Sequence, residues 1–367
     1  MIGLALAFAN GANDNFKGVA TLFGSGTSTY RRALVWATST TALGSVTALF
    51  LARGLLTAFS GKGLVPSDVV GDPAFPAAVA LAAAVTVFLA TRLGLPISTT
   101  HSLIGALVGA GLLASPSGID GSRLIGTFLL PLSSSPLLAM VLSGTLYLPL
   151  RALRRVLGVT RETCICVGEQ IVGVVPGEPD AAGTLTAMKA MTLAVGNPAT
   201  CRVRYRGSFL GIGAPRLLDT AHYVSAGAVS FARGVNDTPK IAALLLVGDV
   251  IAPGAAIVAI GLLIAVGGLT SARRVAETMS HRVTRLNPGQ GFSANVVTAL
   301  LVIGASRLGM PVSTTHVSCG SLFGIGAVTG RAQWKTIGGI LTAWIVTLPL
   351  AGLLGALFYV MLGALSR

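Results

Sequence analysis

The sequence predicts an all-α polytopic membrane protein, built as an inverted-topology repeat with broken helices and re-entrant hairpins. Composition is the first reason: 53% of the 367 residues are hydrophobic and 10% are charged, with a mean hydropathy of +0.79, whereas a soluble domain carries about a quarter charged residues. The second is a series of apolar runs long enough to cross a bilayer, at Leu34 to Leu51, Ala74 to Leu93, Leu124 to Leu150, Ala255 to Leu269, Val296 to Leu308 and Ile337 to Leu362. The third is self-similarity. Residues 90–111, ATRLGLPISTTHSLIGALVGAG, match residues 305–326, ASRLGMPVSTTHVSCGSLFGIG, at 13 of 22 positions, and GANDNFKGVA at 11–20 answers GVNDTPKIAA at 234–243.

The two motifs occur in the same order in each half, so the chain divides into a first membrane repeat at 1–150, a linker or insertion at 151–220 and a second repeat at 221–367. Each repeat reads as a broken helix at the Asn-Asp motif, two spanning helices, a hairpin at the Ser-Thr-Thr-His motif and a final span. An odd number of crossings inverts the second copy. Charge distribution agrees. The net charge of +14 does not mark a nucleic-acid face, because the arginines cluster in loops: Arg31 and Arg32, Arg151 to Arg206, Arg273 to Arg285, and Arg331 with Lys335. An inverted repeat with both termini outside places all these clusters on the cytoplasmic side. The other side receives a sparse mixed set, Arg53, Lys62, Asp68, Asp72, Arg123 and Asp249. The first apolar stretch runs straight into Asn10 to Asn15, with no signal-peptide cleavage site.

Residues 151–220 mix Arg, Glu, Pro and Gly with short alternating runs, Thr163 to Val167 and Cys201 to Arg206, that read as β-strands. Three of the four cysteines, Cys164, Cys166 and Cys201, lie here, and Cys319 lies in the second repeat. Free thiols are the default for a cytoplasmic segment. A metal or redox cluster requires the segment to fold the three together, and it has no fourth ligand at metal-site spacing.

The duplicated polar residues are the candidate site. A carboxylate at membrane depth costs several kcal/mol unless it faces a cavity, a cation or a proton, which directs attention to Asn13, Asp14, Asn236 and Asp237. The plainer reading is that each Asp caps a broken helix or pairs with the lysine three residues on. Ser98, Thr99 and Thr100, and Ser313, Thr314 and Thr315, follow Gly-x-Pro breaks and open Gly-rich helices. Helix N-termini carry partial positive charge and spare donors, so two of them converging make a cage for a tetrahedral oxyanion. Ordinary Ser/Thr capping is the alternative. His101 and His316 either join the hairpins or move protons. Lys17 and Lys240 neutralise the carboxylates, attract an anion, or reach the interface.

At these residues the sequence resembles the inorganic phosphate transporter (PiT) family, which carries a duplicated Gly-x-Asn-Asp signature, here Gly11 to Asp14 and Gly234 to Asp237, and duplicated hairpins, here Pro96 to His101 and Pro311 to His316. The resemblance implies a plasma-membrane phosphate symporter, often a homodimer. Asn13, Asn236 and the six Ser/Thr residues would hold phosphate, with Asp14 and Asp237 serving the coupling cation. Sodium at those aspartates is the one ion admitted, with no other metal or cofactor. The departure follows the signatures: family members commonly continue the first with small residues, whereas this chain has Asn15-Phe16-Lys17, and Thr238-Pro239-Lys240 in the second half. A fixed ammonium beside a carboxylate stands where sodium would bind, which points to coupling by protons. Sulfate is the rival substrate. An intramembrane hydrolase using Ser98 or Ser313 with a histidine needs one assembled site. A passive channel does not need buried acids in broken helices.

Overall fold

The computed structural model describes residues 2–176, 185–247 and 252–365; of the sparse charged set, Asp249 lies outside them. In chain order the main elements of the first half are helices α1 (Ile2–Asp14), α2 (Ala20–Gly24), α3 (Tyr30–Leu51), α4 (Ala74–Arg92), α5 (Thr99–Ala114) and α6 (Leu130–Val156). Strands β1 (Cys164–Pro176) and β2 (Leu185–Gly196), helix α7 (Pro198–Arg204) and strand β3 (Leu210–Gly213) follow. The second half contains α8 (Ala214–Leu245), α9 (Pro253–Ser271), α10 (Pro288–Arg307), α11 (Thr314–Thr329) and α12 (Trp334–Leu365). Among the described residues six helices are long and apolar enough to cross a membrane: α3, α4, the stretch Gly121–Val156 that ends in α6, α9, α10 and α12. The protein is a multi-helix membrane protein, and each predicted apolar run lies mainly within one of these six.

The motif helices differ between the halves. In the first half α1 ends at Asp14, and a 3₁₀ turn at Lys17–Val19 precedes α2, as predicted for a broken helix. In the second half α8 runs unbroken for 32 residues through Asn236 and Asp237, with Pro239 inside it. The predicted break is absent there. Proline removes one helical donor, but the helix is buried on both sides of it, from Gly234 to Leu244, and Thr238 is tied by its hydroxyl to Ser45 (2.8 Å). Helix α5, at 16 residues, is shorter than a crossing helix, as the hairpin reading requires.

Two compact units divide the chain, Met1–Tyr147 with His222–Arg367, and Leu148–Ala221. In the first unit α1 packs against α9 and α4, and α12 packs against α5 and α4. Small residues make these contacts close, as lipid-embedded helices require. A Cβ on Gly11 would run into the backbone carbonyl of Ile264 on α9, and one on Gly109 into that of Gly352 on α12.

The second unit holds a three-stranded antiparallel sheet in the order β2-β1-β3. Cys164 faces Gly196 on β2 and Gly213 on β3, and Cys166 faces Ala194 and Gly211. Thr163 to Val167 forms strand as expected, from Cys164 onward. Cys201 to Arg206 does not: Cys201 to Arg204 is helical, because Asn197 and Thr200 form a reciprocal capping box and Pro198 occupies the first turn. The default of free thiols is also corrected, since Cys166 is bonded to Cys201 and only Cys164 and Cys319 are free. Helix α7 brings Cys201 back onto β1.

If close backbone approach holds α1 to α9, Gly11→Leu will lower stability by at least the roughly 1–3 kcal/mol typical of overpacking. Thermal unfolding of the detergent-solubilised protein measures it; an unchanged midpoint would refute the contact.

Candidate functional site

Helix α1 and the turn after it supply Asn10, Asn13, Asp14 and Lys17. Helix α8 supplies Arg233, Asn236, Asp237 and Lys240. The two Ser-Thr-Thr triplets stand at the starts of α5 and α11, each with its serine as the extended N-cap and its two threonines as the first helical residues. The structure gathers all of them into one buried polar cluster, each at most 4% exposed.

The lysines organise it. Lys17 Nζ is ion-paired with Asp14 and donates to Asn13 Oδ1, to the Ile97 carbonyl and to Thr315 Oγ1, each at 2.7 Å. Lys240 Nζ donates to the Val312 carbonyl and Thr100 Oγ1, both at 2.7 Å, and lies 3.6 Å from Asp237 Oδ1. Apart from the Asn13 contact, which Lys240 does not repeat, these sets correspond position by position, for Ile97 aligns with Val312 and Thr100 with Thr315. Each ammonium therefore touches its own half's aspartate and hairpin carbonyl and the other half's threonine. The threonine hydroxyls close the exchange: Thr315 donates to the Ile97 carbonyl (2.9 Å) and Thr100 to the Val312 carbonyl (3.3 Å).

The remaining predicted residues fill the space between. Thr99 Oγ1 donates to Asp14 Oδ2 (3.0 Å), and Asn236 Nδ2 lies 3.1 Å from Thr314 Oγ1 and 3.0 Å from Asp237 Oδ1. Asn13 Nδ2 is held by Thr91 Oγ1 (2.9 Å) and Asn236 Oδ1 by Ser306 (3.1 Å), again at aligned positions. Ser98 and Ser313 act as N-caps, accepting from the backbone N–H of His101 and His316, each at 3.1 Å. These caps use the two serine oxygens as acceptors, while the four threonines direct their hydroxyls elsewhere. His101 and His316 meet edge to face with ring centroids 4.3 Å apart. Behind them Trp344 stacks on His316 (3.7 Å) and donates to the Pro96 carbonyl (3.1 Å).

Two site residues escaped the sequence reading, Asn10 and Arg233. They occupy the same position in the two copies, four residues before each aspartate, and differ in type, so a search for identical repeat residues passes over them. Arg233 is fully buried. It donates to Asn10 Oδ1 (3.3 Å), Asn15 Oδ1 (3.0 Å) and Thr41 Oγ1 (3.2 Å). Asn10 Nδ2 lies within reach of Asp14 Oδ2 (2.9 Å), Thr99 Oγ1 (3.0 Å) and Asp237 Oδ2 (3.3 Å), and so stands between the two acids. Three cationic side chains face two carboxylates, an excess of one positive charge in a buried, hydroxyl-rich cluster. Such a cluster is chemically suited to a small oxyanion.

Residues 10–355 match the family model described as the phosphate transporter family. The chain belongs to that family. Among relatives of this transporter, a provisionally named phosphate permease of Pyrococcus horikoshii is 28% identical, covering 99% of this chain and 96% of its own. A probable low-affinity inorganic phosphate transporter of Rhizobium meliloti is 29% identical, with 98% and 93% covered. A solved structure titled a sodium-dependent phosphate transporter shares the fold, with a TM-score of 0.74 at 22% identity over 99% of this chain and 97% of that one. The family and relatives are transporters, not enzymes, which removes the intramembrane hydrolase.

Replacing Arg233 by Met leaves buried acceptors on Asn10, Asn15 and Thr41 unpaired, at about 1–3 kcal/mol for each such group. The expected outcome is a clear fall in the thermal midpoint of the purified transporter, partly restored in Arg233→Lys. A midpoint equal to wild type in Arg233→Met would show that the guanidinium does not hold the cluster.

Proposed function

We propose that the chain carries inorganic phosphate across the plasma membrane by alternating access, as a homodimer whose protomers each contain two inverted repeats and with residues 151–220 in the cytoplasm. One observation carries the reading: each lysine joins its own half's aspartate to the other half's hairpin threonine, so the two halves build a single site. Phosphate bound there meets Asn13, Ser98, Thr99, Thr100, Asn236, Ser313, Thr314 and Thr315, whose hydroxyls and amides replace its water shell, while the excess cation offsets its charge. In the arrangement described above, Thr100 and Thr315 are engaged by the opposite hairpin's carbonyl and the opposite lysine. An entering anion exchanges those bonds for its own and loosens the hairpins' hold on each other, which is the gating step.

The same geometry supports a reading of the coupling cation. Lys17 Nζ sits among four oxygens, from Asn13, Asp14, Ile97 and Thr315, an oxygen-only environment of the kind hard cations occupy. Lys240 holds the aligned position in the second half. The tethered ammoniums take the place of sodium at Asp14 and Asp237, and protons supply the coupling. Sulfate is the second reading. Phosphate retains a proton near neutral pH that a carboxylate can accept, but both acids here are paired with lysines, so that distinction is weakened and family membership carries the preference.

Reconstituted in liposomes, the protein should take up labelled phosphate, resist excess sulfate, and lose coupled uptake in Asp14→Ala and in Asp237→Ala. Full uptake in both aspartate variants would sink the assignment, and complete suppression by sulfate would reassign the substrate. In sodium-free buffer an inward proton gradient should drive uptake unaided, and Lys17→Ala should render uptake sodium-stimulated. An absolute sodium requirement in the wild type ends the proton proposal.

A further inference from the structure

The 148–221 unit contains a sulfur cluster that the transport site does not use. Strand alternation puts Cys164 and Cys166 on one face of β1, and the capped turn at Asn197 starts α7 so that Cys201 lies over them. The three Sγ atoms lie within 4.8 Å of one another. Cys166 and Cys201 are bonded, and Cys164 Sγ is 3.2 Å from Cys166 Sγ. All three are buried, at 5%, 0% and 1% exposure. The strand residues opposite Cys164 and Cys166 are glycine or alanine on both neighbours, Gly196, Ala194, Gly211 and Gly213. A Cβ on Gly211 would fall 2.8 Å from Cys164 Sγ, so room for the third sulfur depends on a missing side chain. A disulfide needs two sulfurs; the third thiol, aimed at the pair from a cradle of small residues, is left over.

We propose that Cys164, Cys166 and Cys201 form a three-thiolate site for a thiophilic d¹⁰ metal ion, zinc or Cu(I) in class, which fills when the Cys166–Cys201 disulfide opens. The opening is a two-electron reduction by a cellular thiol: two small-molecule thiols are oxidised to one disulfide, and Cys166 and Cys201 gain two electrons and two protons. Binding then displaces the three thiol protons as three metal–sulfur bonds form. Soft thiolates select these ions. With Zn–S bonds of about 2.3 Å the sulfurs of a tetrahedral site stand about 3.8 Å apart, a spacing that the present cluster reaches by small side-chain rotations. Cys201 also lines an open cavity of about 500 Å³ bounded by Glu162, Thr163, Asn197, Thr200 and Arg204, through which water reaches zinc's fourth position. Cu(I) binds three thiolates without it.

The full-length protein in detergent is reduced with a dithiol, desalted without oxygen and checked for four titratable thiols, then titrated with Zn²⁺ against a chromophoric chelator. One equivalent per chain should bind. Affinity should fall in Cys164→Ser and in Cys201→Ser by more than the roughly 10–100-fold that loss of an outer partner costs, and persist in Cys319→Ala. Cd²⁺ should give thiolate-to-metal charge-transfer absorption that weakens by about a third in Cys164→Ser, a readout independent of folding yield. Failure of the reduced wild type to bind Zn²⁺ or Cd²⁺, or wild-type affinity in Cys164→Ser, overturns the proposal. Neither result touches the transport reading, because the unit carries none of the phosphate-site residues.

Discussion

The crossed lysine contacts are the interaction on which the rest of the site depends. A buried ammonium is stable only when its charge is matched and its three donors are used. Lys17 finds its matches in Asp14, a backbone carbonyl of its own hairpin and Thr315 of the other hairpin; Lys240 repeats the scheme with Asp237, Val312 and Thr100. Lys240 has only Asp237 and Val312 in its own half and takes its third partner from the other, while Lys17 adds Thr315 to three acceptors of its own half, Asn13, Asp14 and Ile97. The two hairpin tips are therefore held together by charge and hydrogen bonding at the place where each helix begins, and any change in that bonding is felt by both halves.

Close packing makes such a centre affordable in lipid. Glycines at Gly11 and Gly109 let backbones touch, and the polar cluster is enclosed among the helices, each of its residues at most 4% exposed. The arrangement also has an asymmetry that the duplication conceals. Arg233 stands where the first half has Asn10, and the pair bonds across the site (3.3 Å). One guanidinium serves both halves; two facing each other would leave a like-charge pair without matching acids.

Much of this was legible in the chain. Hydropathy showed the membrane class because lipid imposes long apolar runs, and the repeat identified Asn13, Asp14, Lys17 and the Ser-Thr-Thr triplets because both copies retain the same polar residues at the same spacing. The expectation of matched broken helices was too strict. The same Asn-Asp pair sits on a helix that stops at Asp14 and on one that continues past Asp237, since helix continuity is decided by how well the flanking turns are packed. In the insertion, alternation identified β1 but misread the segment after Asn197, where a capping box outweighs the pattern.

By itself the sequence determined the membrane class, the duplication and most residue types of the buried polar cluster, because solvent partition and repetition leave marks in composition and spacing. Only the tertiary structure decided which partner each lysine takes, that Asn10 and Arg233 join the site, and that three cysteines share one pocket. Those outcomes depend on distances between residues tens to hundreds of positions apart, and such distances are set by packing, which no local pattern of residues records.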